Sequence, residues 1–276
     1  MCIPWKGCIL SRPRVQDKTE DHNLRSLNIA SRIIHIMTPP HAPSAWELFT
    51  PGISRSQPSP QLRASSVIKP LEIPAGAVDR SVGDVHPYGN PHYLTDPLNG
   101  LNVAALIRDR LSELRPGQQK YFQERYQAFR QRLGTAMVGD KLARKYDFEK
   151  LAILYEHGKL LDFLKTQHDE ALLGGWLGQM LPYFGVKAVA DHNIWPYFGH
   201  RFGIVEVGFM EPKPGVPPST KHLTELIRQM QEQKVNLILA SPFFDPRHAH
   251  FLAGKTGAKI VEMAHQVGAR PGTGII

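Results

Sequence analysis

From residue 186 the chain alternates in character without interruption: apolar 186–190, helical 195–202, extended 204–210, helical 219–233, extended 235–240, helical 246–253 and extended 258–263. Strands alternating with helices at this spacing imply an α/β layer on a parallel sheet. Within it Ser219 is placed to cap a helix whose Leu223, Leu226, Ile227 and Met230 form one apolar stripe for the sheet. The run 249–256 loosely matches a phosphate loop, but that loop needs a strand before it and a helix after it. Here the order is reversed, so Gly254 reads as a helix C-cap.

Upstream, Asp96 followed by Pro97 is an N-cap and first-position pair. The helix it starts carries Ala104, Ile107, Leu111 and Leu114 on one stripe and ends before Pro116. A second, long helix is predicted over 118–133, where Phe122, Tyr126, Phe129 and Leu133 keep helical spacing with no internal proline. A Leu-rich helical region over 147–164 and the cluster Gly174, Gly175 and Gly178 follow; three glycines so placed are too weak a signal for a cofactor. Residues 1–66 are rich in Ser, Pro and Arg with no sustained period of 2 or 3.6, and little packed structure is expected there.

Charge and cysteine content narrow the function. The net charge of +8 is uneven: residues 1–66 hold eight Lys or Arg against four Asp or Glu, and the charges beyond are dispersed. Nucleic-acid binding would need basic residues clustered with stacking aromatics, so no nucleic-acid partner is expected. Cys2 and Cys8 are too few for a disulfide framework or a four-cysteine zinc site. No run approaches the roughly 20 apolar residues that cross a bilayer, and the first 15 residues lack the apolar centre of a secretory signal.

Histidines carry the chemistry. His86 and His92 lie in a Gly- and Pro-rich loop, where stiff backbone can fix an imidazole for a metal; capped or solvated loop histidines are the plainer alternative. His192 stands where the strand 186–190 gives out, the end at which open α/β sheets gather ligands, and a hydrogen-bonded turn histidine is its alternative. His200 reads as a surface residue. His248 and His250, two apart on a helix, would not face each other.

Together, residues 89–97 (Gly-Asn-Pro-His-Tyr-Leu-Thr-Asp-Pro), the helix around 121–133, Gly174 to Gly178, His192 with residues 197–203, and residues 211–219 (Glu-Pro-Lys-Pro-Gly-Val-Pro-Pro-Ser) resemble the zinc/manganese solute-binding proteins of ABC transporters. The resemblance covers residue 67 to the C-terminus. It implies two α/β lobes joined by a long rigid helix, with a metal cleft between them: residues 67–115 as a remnant of the N-terminal lobe, 116–137 as the linking helix and 138–276 as the C-terminal lobe. By motif His92 and His192 are the metal ligands. Glu211 and Asp245 are the carboxylate candidates for a late ligand that has no obvious counterpart.

Residues 1–66 match neither the export signal nor the first βα unit of the family, whose further histidine ligand has only a weak substitute in His41. A truncated or mis-started copy with an incomplete first lobe is therefore expected. The implied function is capture of a zinc or manganese ion, the transported ligand, for an ABC-transporter permease. The implied chain is non-enzymatic and monomeric, periplasmic or at the cell surface, and only peripheral to the membrane. A zinc hydrolase using the same histidines is the alternative; it would need a general base beside the metal, and no His-Glu-x-x-His helix is present.

Overall fold

The computed structural model describes residues 62–75, 86, 88–213 and 216–265. The chain splits into two compact units, residues 1–63 and 64–276. Ala64–Val67 forms a short 3-10 turn, and buried Ala64 and Ile68 pack with Tyr93, Val103 and Tyr197. The remainder of 1–66, including His41, lies outside the described residues.

Helix α1 (Pro97–Leu114) begins as the sequence dictates: the Asp96 side chain accepts from the Leu98 amide, and proline fills the first turn. Its buried residues are Leu101 and Val103, with Ile107 packed beside them, while Leu114 is exposed. The stripe read from the sequence thus faces the protein only in its first half, because the far end of the helix projects beyond the core. Helix α2 (Gln119–Val138) runs unbroken for 20 residues. It is asymmetric: Tyr121 is exposed, whereas Leu133, Met137 and Val138 are buried. Burying each of these side chains contributes about 1.5–3 kcal/mol, so the helix is anchored at its C-terminal end.

The glycine cluster serves that anchor. Gly175 has φ +59°, and a Cβ there would stand 2.5 Å from the Ala136 carbonyl oxygen. The 174–175 turn therefore lies directly on the end of α2, as close approach without a side chain permits.

Short helices α3 (Asp140–Lys145), α4 (Phe148–Glu156), α5 (Leu160–Thr166) and α6 (Gly175–Met180) complete this layer. The helical region expected over 147–164 is two helices, because Gly158 adopts φ +68° between them.

Strands β1 (Lys187–Ala190), β2 (Val205–Phe209), β3 (Leu237–Ala240) and β4 (Lys259–Glu262) form one parallel sheet in the order β2-β1-β3-β4. Helices α7 (Pro196–Phe202), α8 (Thr220–Glu232) and α9 (Pro246–Thr256) connect them in turn, giving the α/β layer expected. Leu223, Leu226 and Met230 of α8 are buried and Ile227 is packed beside them. Helix α9 ends at Gly257, with φ +71°, not at Gly254. The expected C-cap thus moves three residues on, since Gly254 tolerates helical geometry and the left-handed turn comes where the chain must reverse into β4.

From β1 the chain crosses to β2 on one side and then returns past β1 to β3 on the other. The carboxyl ends of β1 and β3 therefore flank a topological switch point, where open α/β sheets open a crevice. Among the described residues the segment before α2 contributes helices and turns and no strand.

Candidate metal site

Every strand delivers a side chain to this crevice or its border. His192 lies two residues beyond β1, Glu211 two beyond β2, Ser241 directly after β3 and His265 three beyond β4. His92 reaches the same place from the loop before α1. His92, His192, Ile194, Phe243, Phe244 and His265 line a cleft of about 270 Å³.

The His92 loop is held by specific contacts. Gly89 adopts φ +98°, and a Cβ there would be 2.7 Å from the Leu71 carbonyl oxygen, so the position requires glycine. Asn90, nearly buried, donates through its Nδ2 to Glu72 Oε2 at 3.0 Å and to the Asn193 carbonyl at 3.1 Å. The Tyr197 hydroxyl donates to the Asn90 carbonyl at 3.1 Å and accepts from the Leu71 amide at 3.0 Å. These bonds join Leu71, Glu72 and Asn90 to Asn193 and to Tyr197 of α7. Asn90 Oδ1 accepts from the His92 amide at 2.9 Å and lies 3.0 Å from His92 Nδ1. That pairing sets the tautomer with hydrogen on Nδ1 and the lone pair on Nε2.

Below the loop, Arg201 of α7 is buried against Asp96. Its Nε lies 3.0 and 3.1 Å from the two carboxylate oxygens and its Nη2 3.0 Å from Oδ2, while Nη1 reaches the Ala152 carbonyl at 3.1 Å and Glu156 at 3.0 Å. The first turn of α1 and the helix following His192 are thereby tied to one guanidinium.

His192 is held in the same manner. Its Nδ1 is 3.2 Å from Glu211 Oε2, and its ring stacks on Phe244 with centroids 5.7 Å apart. Glu211 thus orients the histidine, the carboxylate–imidazole arrangement that raises ligand basicity. Behind it, buried Asp191 accepts from the Ser241 amide. Burial lifts its carboxyl to about 6, Glu211 adds to the rise and the Ser241 amide opposes it.

Asp245, the other carboxylate candidate, is not among the residues lining the cleft. It caps α9 by accepting from the Arg247 amide and forms a two-pronged pair with the Arg247 guanidinium, which holds its carboxyl down to about 2. His200 pairs with Glu156 at 3.3 Å on the surface. His248 and His250 lie on α9 and do not line the cleft.

The structure brings His92 and His192, a hundred positions apart, to a ring separation of 6.0 Å. His265 stands equally close, 6.0 Å from His92. Sequence reasoning missed it. Burial, then the neighbouring His192, pushes its imidazole below the ordinary value, which favours the neutral ring that binds metals. Two imidazoles on one tetrahedral zinc place their centroids about 5 Å apart, given nitrogen–zinc distances of about 2.0–2.1 Å. As they stand, no three His, Cys, Asp or Glu side chains among the described residues are gathered tightly enough to hold an ion. In a zinc-bound pair the centroids would stand about 1 Å closer than the 6.0 Å of His92 to His192.

An open parallel sheet with imidazoles converging at its switch point defines an α/β protein with a ligand cleft at the carboxyl edge of the sheet. More particularly, the chain belongs to the ZnuA family, zinc-uptake complex component A, periplasmic, whose family model matches residues 15–138 and 178–273. It is 29% identical over 126 residues to the high-affinity zinc uptake system protein ZnuA of Haemophilus influenzae, across 46% of this chain and 36% of that protein.

The laminin-binding protein Lmb of Streptococcus agalactiae, described as a bifunctional protein with adhesin and metal transporting activity, superimposes with a TM-score of 0.51 at 21% identity. That match covers 77% of this chain and 64% of that one, and it shows the fold. A crystal structure of ZnuA aligns with a TM-score of 0.49 at 19% identity, over 75% of this chain and 62% of that one. The chain therefore spans about a third of the length of the curated relative and less than two thirds of these structures.

Proposed function

We propose that this protein is the substrate-binding component of a metal ABC importer. It captures a divalent transition metal, zinc or manganese, in the cleft between His92 and His192 and passes it to a membrane permease. The observation that carries this reading is the approach of those two rings to 6.0 Å, each with its Nδ1 beside an oxygen.

Three features agree with a carrier. The cleft, at about 270 Å³, suits an ion with a few waters better than a drug-sized organic molecule. The hydrogen bonds of Asn90, Glu72, Asn193 and Tyr197 hold both half-sites near their final positions, which lowers the ordering cost of capture. Among the described residues no helix is long and apolar enough to cross a membrane; the permease is the partner the zinc-uptake family implies.

The test is isothermal titration of the purified chain with zinc and with manganese, beside His92→Ala and His192→Ala. Either substitution is expected to weaken binding at least 100-fold, roughly the upper range for losing even an outer partner of a ligand. Unchanged affinity in both variants would refute the shared site.

A further inference from the structure

We infer that Glu72 and Glu206 form a proton-gated latch behind the cleft: Glu72 is a positioning residue for the loop before α1, and it holds that loop to Asn193 while Glu206 carries a proton. The inference deepens the metal-receptor reading above and rests on it for the effect on metal affinity.

One oxygen of Glu72 makes the connection. Its Oε2 accepts from Nδ2 of Asn90 at 3.0 Å and from Nδ2 of Asn193 at 2.8 Å, and so ties a residue two before His92 to the residue after His192. With its Nδ2 held in this way, Asn90 turns Oδ1 to the His92 amide, 2.9 Å away. Glu72 reaches the position at φ +57°, a left-handed backbone that a residue other than glycine keeps only where its surroundings over-determine it.

Glu206 supplies the second half of the argument. It lies on β2 opposite Ala188 of β1, and the Trp195 amide donates to its carboxyl group. Glu206 Oε1 and Asn193 Oδ1 are both buried and, among the described residues, neither has a hydrogen-bond partner. A buried acceptor left without a donor is costly, and a carboxylate only accepts. A proton on Glu206 turns an acceptor into a donor and removes a charge from a poorly solvated place. Burial, then the charge of Glu72, pushes this carboxyl up to about 8.

The other charged groups on the elements around β2 are engaged elsewhere. Lys187 of β1 reaches Gln233 at 3.3 Å, Arg201 and His200 of α7 pair with Asp96 and Glu156, and Arg228 of α8 pairs with Glu225 and Glu232. His222 of α8 engages the Phe209 carbonyl. Burial raises the Tyr197 hydroxyl above its ordinary value, so that group stays neutral at pH 7–9. Glu72 is thus the charge that acts on Glu206.

When Glu206 loses its proton to solvent, two negative carboxylates stand near each other, and the repulsion is relieved as Glu72 leaves Asn90 and Asn193. The folded-state value is raised, so the closed arrangement is favoured at lower pH and weakens as pH rises through about 8. A metal ion that binds the closed cleft tightens the hold of Glu206 on its proton to the same extent.

The experiment compares the full chain with Glu206→Gln and Glu72→Gln from pH 7 to 9, each variant being checked for folding by circular-dichroism melts. Zinc affinity is read against a chromophoric chelator. In metal-free protein, hydrogen exchange followed by mass spectrometry reads the amides of Leu71 and Asn90, which donate to the Tyr197 hydroxyl and the Leu71 carbonyl. Their protection is expressed relative to the chemical exchange rate at each pH.

The parent should lose protection at both amides above about pH 8, and its zinc affinity should fall roughly fivefold or more relative to Glu206→Gln, the lower end of ordinary coupling between sites. Glu72→Gln keeps an oxygen for the two asparagines and removes the repulsion, so it should be flat as well. Glu72 is exposed, so that variant carries the test if Glu206→Gln does not fold.

Protection and relative affinity that follow the same course with pH in the parent and the folded variants overturn the latch, while zinc binding that depends on His92 and His192 leaves the receptor standing. If the parent loses protection as described but binds no zinc, the receptor reading falls and the latch remains.

Discussion

Replacing Asp96 separates two tasks that one carboxylate performs. It caps α1 through the Leu98 amide at 2.9 Å, and it accepts the Arg201 guanidinium at 3.0–3.1 Å, with both side chains less than a tenth exposed. Breaking a buried pair by removing one partner typically costs about 3–5 kcal/mol, because the other charge is left uncompensated. Here Glu156 and the Ala152 carbonyl remain on Arg201, which reduces that term to roughly 2–3 kcal/mol. Loss of an N-cap adds about 1 kcal/mol.

Asp96→Ala should therefore destabilise the protein by about 3–4 kcal/mol. Asp96→Asn keeps the cap and should lose about 1 kcal/mol less. At roughly 2–4 °C per kcal/mol for a domain of this size, Asp96→Ala should melt about 6–16 °C lower. Urea unfolding followed by circular dichroism measures the difference. A double-mutant cycle with Arg201→Met should show coupling above about 1 kcal/mol. An Asp96→Ala variant within 1 kcal/mol of the parent, or a coupling near zero, would show that the guanidinium does not hold the two half-sites together as described.

Glu206 gives a pH-dependent expectation. Burial raises its carboxyl to about 8, Glu72 adds to the rise and the Trp195 amide opposes it, while Oε1 has no hydrogen-bond partner among the described residues. The folded protein then holds this proton between the ordinary value near 4.5 and about 8, and the unfolded chain does not. Stability from this group is full below pH 4.5, declines as pH rises and is gone above about 8, by roughly 2–5 kcal/mol in total. Glu206→Gln should remove that slope and leave the protein more stable than the parent at pH 8.5; an unchanged slope refutes the assignment. Glu211→Ala should weaken zinc binding about 10–100-fold without unfolding the protein, since it removes the partner that orients His192; titration reads this directly, and no change would free His192 of that partner. Gly175→Ala should cost upwards of 2 kcal/mol in urea unfolding, because its Cβ would meet the Ala136 carbonyl at 2.5 Å in a left-handed backbone; a variant as stable as the parent would mean that the turn can move off α2.

The local rules of the chain were legible because they depend on neighbours in sequence. Asp96 and Pro97 start α1, the spacing of Phe129 and Leu133 makes α2, and the alternation after residue 186 gives the parallel layer. What sequence could not supply was register. The stripe on α1 gave no indication that Leu114 would project beyond the core, and Gly254 resembled a helix end until Gly257 proved to be the left-handed residue. The site divides in the same way.

His92 and His192 could be singled out from a stiff loop and a strand end, but Glu211 reads as a solvated loop carboxylate until β1–β2 pairing sets it beside His192. His265 follows β4 as His192 follows β1, so the strand-end rule could have found it. Nothing local marks a histidine after Met263 and Ala264 as part of a cleft whose other walls are residues 92, 192, 194 and 243–244.

The central claim, that His92 and His192 share one divalent metal ion, is tested most directly by a crystal structure of the zinc-loaded full chain with anomalous scattering recorded at the zinc edge. The account predicts one strong peak in the cleft, about 2.0–2.1 Å from Nε2 of both His92 and His192, with the rings drawn in to about 5 Å between centroids from 6.0 Å. A zinc peak bound by other residues, or a cleft that stays empty at saturating zinc, would contradict it.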